Sequence, residues 1–252
     1  MDKNEEPMVT VELFSGTGSF SKVALERGNW INTYDLADHA DELVEGTHTR
    51  CDVLDESVVY HQQPDILWAS PPCTAFSVAS LGHHWTGGKG AYIPKTEAAV
   101  VALKILERTL DIIVAQNPDF WFIENPRGMM RKKIDKLFEA RGLRAIRHTV
   151  TYCQYGDDRM KPTDIWTNCD VWKPKPACKN GAPCHVAAPR GSKTGTQGIK
   201  GARERSRIPA EIFHEILDHL DNPPTEEGLF TYETLLADIG DPFEGLMPDD
   251  RW

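Results

Sequence analysis

The stretch VTVELFSGTGSFSKVALERG, Val9 to Gly28, changes its periodicity at a turn that contains two glycines. Residues Val9–Phe14 alternate in polarity and are rich in β-formers, which predicts a strand. The residues from Phe20 onward have helical spacing, and Gly16 and Gly18 lie in the turn between the two elements. Glycine lets backbone amides approach a ligand closely, so this unit predicts an α/β fold with a binding site at the turn.

The same alternation of strand and helix continues along the chain. Further strands are predicted over Trp30–Leu36, Thr47–Val53, Pro64–Ser70 and Asp119–Pro126, and two more around a turn between His148 and Asn168. The clearest helix is predicted over Lys95–Gln116, where an apolar stripe repeats at helical spacing. Strands that alternate with helices predict a mostly parallel, Rossmann-like sheet covered by helices on both faces.

Five successive strand ends in this arrangement carry polar or reactive residues, and ligands bind at that edge of such sheets. The residues are Gly16, Gly18, Asp35, Asp52, Cys73 and Glu124. Asp35 is placed to bind ribose hydroxyls, with a helix cap as the alternative role. The third glycine of a dinucleotide fingerprint is absent, which favours S-adenosylmethionine over NAD.

Cys73 follows two prolines in ASPPCTAFS, Ala69–Ser77, at the end of a predicted buried strand. It is either a nucleophile presented on a stiff turn or a small packing residue. A thiolate there can attack a ring carbon, and Glu124 can protonate a heterocycle. Arg159 can hold an exocyclic oxygen and offset the charge that develops. Together these residues favour a catalytic function.

The composition indicates a globular cytoplasmic protein, and the small size of the chain suggests a bacterium or a phage-infected host as its setting. The chain has 252 residues, a net charge of −10 and an acidic N-terminus that does not resemble a signal peptide. No apolar run approaches the roughly 18 residues that span a bilayer, and we expect reduced cysteines. Positions 127–210 nevertheless hold nineteen Lys and Arg against seven Asp and Glu, which either attract a polyanion or form a solvated charge mosaic.

The motifs, in their order, resemble those of the cytosine carbon-5 DNA methyltransferases. The Asp-Leu-Phe-x-Gly-x-Gly turn of that family is matched by Glu12–Gly18, and its Pro-Cys-x-x-Phe-Ser motif by Pro72–Ser77. Its Glu-Asn pair is matched by Glu124 and Asn125, and its Gln-x-Arg-x-Arg motif loosely by Asp157–Lys161. The departures are Glu12, Ser19, Pro126, Asp157 and Lys161, and a full target-recognition domain is missing.

This resemblance implies a methyltransferase fold, S-adenosylmethionine as methyl donor and double-stranded DNA as partner of a monomeric enzyme. It implies that Cys73 adds to carbon 6 of a flipped-out cytosine while Glu124 contacts ring nitrogen 3 and Arg159 assists. The residues that it implies at the cofactor are Phe14, Gly16, Gly18, Asp35, Leu36, Asp52, Val53 and Pro72. The loop 81–94 corresponds to the family's mobile lid.

The segment 169–207 is basic and lacks apolar periodicity, so a metal or a partner must order it. Cys169, Cys178, Cys184 and His185 offer three thiolates and an imidazole, which suit a structural zinc ion, although unconnected reduced thiols are the alternative. We therefore predict a catalytic domain at 1–168, a DNA-contacting insert at 169–207, and a C-terminal helix with an acidic tail at 208–252. The rival functions are a methyltransferase for RNA, a nucleotide or a modified cytosine, and an inactive DNA-binding relative.

Overall fold

A computed structural model describes residues 6–38, 47–60, 63–179, 181–187 and 201–222. Its strands are β1 Val9–Leu13, β2 Trp30–Asp35, β3 His48–Arg50, β4 Ile66–Ala69, β5 Trp85–Thr86, β6 Ile93–Pro94, β7 Phe120–Pro126, β8 Ile146–Thr151 and β9 Pro162–Thr167. Its helices are α1 Ser19–Glu26, α2 Leu81–His84, α3 Gly88–Ala91, α4 Glu97–Gln116, α5 Ile134–Ala140, α6 Ala202–Ser206 and α7 Ala210–Asp221. The predicted alternation of strands and helices is confirmed.

Seven strands form one sheet in the order β3-β2-β1-β4-β7-β9-β8. The five strands from β3 to β7 run parallel, whereas β9 is antiparallel to both of its neighbours. The predicted α/β class with a mostly parallel sheet is therefore confirmed. The chain builds outward from β1 to β2 and β3, and then returns to place β4 on the other side of β1. That reversal opens a crevice beyond the carboxyl ends of β1 and β4.

Each face of the sheet is covered by helices because both faces of its central strands are apolar. Leu67 in β4 belongs to a core shared with α4 and α5, and Trp68 beside it belongs to a second core shared with α1 and α7. Successive side chains of a strand point to opposite faces, so an almost continuous apolar strand is what burial on both sides requires.

Helix α7 packs against α1 across the second core. The ring of Trp68 contacts Phe20 of α1 at 5.8 Å and Phe213 of α7 at 4.8 Å between centroids. Beyond this apolar contact, Arg27 at the end of α1 forms ion pairs with Asp218 and with Asp221, the latter at 2.8 Å. Helix α7 is thus joined to α1 by both apolar and ionic contacts. The acidic tail that follows it lies outside the described residues.

The segment 81–94 is more regular than its glycine content predicts. It contains α2, the short antiparallel pair β5–β6 and α3, rather than an irregular loop. Trp85 anchors it, because its buried indole stacks on Phe76 at 6.1 Å and donates a hydrogen bond to the Ala75 carbonyl at 2.7 Å. Apolar burial thus orders part of this segment.

Among the described residues, no helix is long and apolar enough to cross a membrane.

Candidate active site

A pocket with about 420 Å³ of empty space lies at the crevice between β1, β2 and β4. Its lining residues are Leu13, Phe14, Tyr34, Asp35, Leu36, Cys51, Asp52, Val53, Tyr60, Pro72 and Ile105. Six of the eight residues predicted at the cofactor are among them. These six residues come from four separate parts of the sequence, and the structure brings them to one concave, mainly apolar surface with two carboxylates.

The glycine turn lies beside this pocket and is tied to Asp35. Gly16 and Gly18, which do not line the pocket, have φ angles of 50° and 66°. The amide of Gly16 donates a hydrogen bond to Asp35 Oδ2 at 2.9 Å, and the amide of Ala37 donates to Oδ1 at 2.8 Å. Phe14 also has a positive φ of 58°, a conformation that is rare for a bulky residue and is concentrated at binding sites.

Glu12, the departure from the family's usual aspartate, is buried beneath the glycine turn. It accepts hydrogen bonds from the amides of Phe20 and Ser21 at 3.3 and 3.0 Å, and from the Ser21 hydroxyl at 2.6 Å. The carboxyl group therefore caps the start of α1, where aligned peptide dipoles favour an anion. Burial outweighs these bonds and raises the pKa of Glu12 to about 7. Glu12 holds the turn, and does not line the pocket.

Cys73 lies in the loop that follows β4 and is exposed to solvent. Two contacts with the segment after Glu124 fix this loop. The side-chain amide of Asn125 donates to the Pro71 carbonyl at 2.8 Å, and the Met129 amide donates to the Phe76 carbonyl at 2.7 Å. At Gly128 a Cβ atom would stand only 2.2 Å from that Phe76 oxygen, so a side chain there would break the second contact.

Glu124 is buried at the end of β7, in the strand next to β4. Its Oε1 accepts a hydrogen bond at 3.1 Å from the hydroxyl of Tyr152, whose ring packs 4.6 Å from the Lys161 ammonium. Burial raises the pKa of Glu124, while the charge of Lys161 and the hydrogen bond from Tyr152 oppose that rise. Burial lowers the pKa of Lys161, which the Glu124 carboxylate opposes. Tyr152 and Lys161 are site residues that the sequence prediction did not include.

Cys73 and Glu124 are close enough for their charges to interact. Protein atoms around the Cys73 thiol reduce its hydration and so raise its pKa, although part of the residue is exposed. The Glu124 carboxylate raises this pKa further. Lys161 and Arg205 act in the opposite direction. Both the Cys73 thiol and the Glu124 carboxyl group therefore keep their protons to a higher pH than the free side chains do, and the two nearby cations favour the thiolate when it forms.

Arg159 does not present its guanidinium to this site, which corrects its predicted role. Its Nε and Nη2 donate to the Asp157 carboxylate, and its Nη1 and Nη2 donate to the carbonyls of Glu204, Arg205 and Arg207 at 3.1–3.4 Å. A guanidinium has five N–H donors, and protein acceptors occupy them here. Arg159 is a positioning residue that holds 204–207 over the site, whereas Lys161 is the cation next to Glu124.

A Cys/His cluster in the insert differs from the predicted set by one residue. The side chains of Cys153, Cys178, Cys184 and His185 place their ligand atoms within 4.8 Å of one another. Cys169 is instead fully buried in the core shared with α7 and is not part of this cluster. The prediction of Cys169 as a ligand was wrong because the residue follows β9 and faces the core. Cys153, in the turn after β8, takes its place.

The sequence suggests phosphate contacts at Arg190, Lys193, Lys200, Arg203, Arg205 and Arg207. The side chains of Arg205 and Arg207 are among those that the structure describes, whereas the other four are not. The carbonyl of Arg205 accepts hydrogen bonds from both Arg159 and Lys161, at 3.1 and 3.2 Å. The basic segment is thereby brought to the edge of the site that contains Cys73.

Comparison with known proteins gives the relationship of the chain. It is 31% identical over 232 residues to a protein of Frog virus 3 (isolate Goorha) named "Probable DNA (cytosine-5)-methyltransferase", a match that covers 84% of this chain and 99% of that protein. The chain belongs to the DNA (cytosine-5)-methyltransferase family. The resemblance inferred from its motifs is therefore confirmed. No family model matches the chain.

Two solved structures of methyltransferases are also similar. One is a DNA modification methyltransferase encoded within an E. coli prophage, with 16% identity, a TM-score of 0.48 and coverage of 72% of this chain and 57% of that one. The other is the S. pombe Dnmt2 methyltransferase, with 14% identity, a TM-score of 0.41 and coverage of 64% and 48%. This chain spans about half the length of both structures.

Proposed function

We propose that this protein transfers a methyl group from S-adenosylmethionine to carbon 5 of cytosine in double-stranded DNA. The observation that carries the proposal is the placement of Cys73 beside Glu124, at the ends of adjacent strands. A nucleophile next to a carboxyl group of raised pKa is what addition to a heterocycle needs. The family membership of the chain supports the same reaction.

The pocket fits S-adenosylmethionine in its chemistry. Its apolar wall, with Phe14 and Val53, suits an adenine ring, and Asp35 and Asp52 at its edges suit the ribose hydroxyls and the adenine amino group. Among the described residues the buried hydroxyl of Ser15, in the glycine turn, has no hydrogen-bond partner. Such an atom needs a ligand or water to satisfy it. When bound, the cofactor supplies an electrophilic methyl group on a sulfonium.

The reaction begins when Cys73 loses its proton and forms a carbon–sulfur bond at carbon 6 of a cytosine that has left the helix stack. The electron pair of the 5,6 double bond shifts to form a 4,5 double bond, the pair of the 3,4 double bond moves to ring nitrogen 3, and Glu124 delivers its proton to that nitrogen. Lys161 stabilises the exocyclic oxygen of the cytosine, a role that the sequence motif suggests for Arg159. Carbon 5, now electron-rich, would bond the methyl group with the electron pair of the 4,5 double bond, and the pair of the broken sulfur–methyl bond would stay on the sulfur of the departing cofactor.

The product forms when a base removes the remaining proton from carbon 5. The electron pair of that C–H bond restores the 5,6 double bond, the C–S bond breaks, and Cys73 leaves as the thiolate. Glu124 recovers its proton from ring nitrogen 3, and the Cys73 thiolate regains from solvent the proton that it gave up at the start, so both residues return to their starting states. Flipping of the base is needed because stacked neighbours cover both ring carbons.

The DNA-contacting role is assigned to the basic segment after β9, and the division into 1–168, 169–207 and 208–252 follows from it. Arg159 and Lys161 hold the carbonyls at 204–207, so Arg205 and Arg207 stand where a phosphate backbone would pass the site. A chain with so short an insert is expected to read a short sequence and to act as a monomer.

The test is nucleoside mass spectrometry after incubation of purified protein and S-adenosylmethionine with duplex DNA, single-stranded DNA or RNA. We expect 5-methylcytosine in duplex DNA with the wild-type protein and none with Cys73→Ala. Methylation of RNA alone would move the function to the first rival. If none of the three nucleic acids is modified while the folded protein binds S-adenosylmethionine, the substrate assignment fails and the cofactor assignment stands.

A further inference from the structure

The Cys/His cluster joins two parts of the chain that lie far apart in sequence. Cys153 belongs to the turn after β8, in the hairpin that carries Arg159 and Lys161. The other three members, Cys178, Cys184 and His185, belong to the insert. The cluster is separate from the pocket and from Cys73, and the reaction proposed above does not use it.

Three of four ligand–ligand distances within the cluster are close to those around a tetrahedral zinc ion, and the distance between the sulfurs of Cys178 and Cys184 is shorter. With Zn–S of about 2.3 Å and Zn–N of about 2.0–2.1 Å, tetrahedral ligand atoms lie about 3.8 Å apart for two sulfurs and about 3.5 Å for sulfur and nitrogen. Cys184 Sγ is 3.7 Å from Cys153 Sγ and 3.6 Å from His185 Nδ1. Cys178 Sγ is 3.5 Å from His185 Nδ1 and 3.2 Å from Cys184 Sγ.

The part of the insert around the cluster has little else to order it. From Lys173 to Ala187 the described residues are exposed or half-buried, so they contribute almost no apolar core. Three backbone amides connect it to the hairpin: Lys175 to the Tyr155 hydroxyl, Cys178 to Thr151 Oγ1 and Val186 to the Asp158 carbonyl, all at 2.8–2.9 Å. A segment with so small a core requires a metal, a disulfide or a partner to hold one conformation.

The surroundings of the sulfurs also suit metal-bound thiolates. The side-chain amide of Gln154 donates toward Cys184 Sγ at 3.5 Å, the kind of contact from a neighbouring residue that orients a metal ligand. Three sulfurs and one imidazole form a closed donor set of the type found in structural zinc sites. Oxygen-preferring cations such as Mg²⁺ do not suit these donors.

We propose that Cys153, Cys178, Cys184 and His185 bind one structural zinc ion, which fastens the insert to the catalytic hairpin. Cys153 directly follows Tyr152, whose hydroxyl contacts Glu124, so the ion fixes the backbone next to a residue of the active site. The ion has no open coordination position in this set and takes no part in methyl transfer. The site does not depend on which nucleic acid the enzyme methylates.

The first test counts metal in the purified full-length protein by inductively coupled plasma mass spectrometry, with Cys153→Ser beside Cys169→Ser and Cys51→Ser. We expect one zinc per chain in the wild type and in both controls, and a loss of most zinc in Cys153→Ser. Wild-type protein without zinc overturns the proposal, and so does an intact-mass shift that reveals a disulfide between Cys178 and Cys184. Retention of full zinc by Cys153→Ser overturns the ligand set.

The second test keeps the wild-type sequence and so does not depend on a variant that folds. Zinc is removed with a chelator, and tryptic cleavage after Lys179 is followed before and after zinc is returned. We expect cleavage to accelerate at least about tenfold without the metal and to slow again with it, while S-adenosylmethionine binding stays unchanged. Equal cleavage rates with and without zinc contradict a structural role. Cobalt substitution should give the intense visible bands of a tetrahedral thiolate site, and their absence contradicts the geometry.

Discussion

The hydroxyl of Tyr152 donates a hydrogen bond to Glu124 Oε1 at 3.1 Å, inside the protein and beside the Lys161 ammonium. A hydrogen bond of this kind favours the ionised carboxyl group, so it limits the rise in the pKa of Glu124 that burial causes. Tyr152 therefore tunes the group that is proposed to deliver a proton to the base, besides fixing its orientation.

Replacement of Tyr152 by phenylalanine is expected to raise the pKa of Glu124, because the bond that favours its charged form is lost. Since Glu124 acts as a proton donor, the rate of methyl transfer should fall at a higher pH than in the wild type. Single-turnover rates across pH measure this shift, with an expected loss of about tenfold at neutral pH from poorer positioning. Tyr155→Phe is the matched control, because Tyr155 contacts Glu215 instead. A pH profile identical to the wild type contradicts the role of Tyr152.

The charge of Lys161 is expected to matter more than that of any lysine in the insert. Lys161→Met removes a cation that lowers the pKa of Cys73 and that lies next to Glu124. Methyl transfer should fall about 100-fold, or about 3 kcal/mol of barrier, and should recover partly at higher pH where the thiolate forms without help. Lys175→Met, which removes a lysine over the Tyr155 ring, should leave the rate within about twofold. An unchanged rate in Lys161→Met would transfer the role back to Arg159.

Stability is expected to depend on pH through Glu12. Its pKa rises to about 7 in the folded protein, above the ordinary value of 4.5 for a glutamate, so the folded state retains a proton that the unfolded state releases. Unfolding free energy should therefore be highest below pH 4.5 as far as Glu12 is concerned, and should fall as pH rises toward 7, by about 3 kcal/mol. Glu12→Gln cannot titrate, so the difference between the two proteins should change across this interval. Urea unfolding at several pH values measures it, and parallel curves would show that Glu12 does not titrate there.

Asp35 is expected to contribute to cofactor binding both directly and through the glycine turn. Asp35→Ala removes the acceptor for the amides of Gly16 and Ala37 as well as the proposed partner of the ribose. S-adenosylmethionine affinity, measured by calorimetry, should fall at least about tenfold. Asp55→Ala provides the control, since Asp55 is exposed and its side chain bonds only to Ser57 among the described contacts. Equal affinities in both variants would place the cofactor elsewhere.

Much of this site follows from local sequence signals. A glycine turn after β1 and a cysteine after β4 can be recognised because each depends on a few adjacent residues, and parallel strands bring their ends to one edge. The pocket gathers Asp35, Asp52 and Pro72 for that reason. The pairing of β8 with β9 is likewise predicted from two β-rich segments close in sequence, which the connection 152–161 joins.

Contacts between distant segments are what the sequence does not reveal. Arg159 and Lys161 are two residues apart, and which of them reaches Glu124 depends on carbonyls at 204–207, more than forty residues later. Cys169 is close in sequence to Cys178 but faces the core, whereas Cys153 reaches the cluster through the hairpin. In both cases the deciding interaction is tertiary, and residue spacing carries no signal of it.

The attack of Cys73 on carbon 6 of cytosine is tested most directly with a duplex that contains 5-fluorocytosine. Fluorine at carbon 5 cannot leave as a proton does, so the C–S bond should not break. The enzyme should then remain covalently attached to the methylated base. We expect a covalent complex with wild-type protein that requires S-adenosylmethionine, with the base mapped to the Cys73 peptide by mass spectrometry, and no complex with Cys73→Ala. A complex on another residue, or ordinary cytosine methylation by Cys73→Ala, would contradict the account.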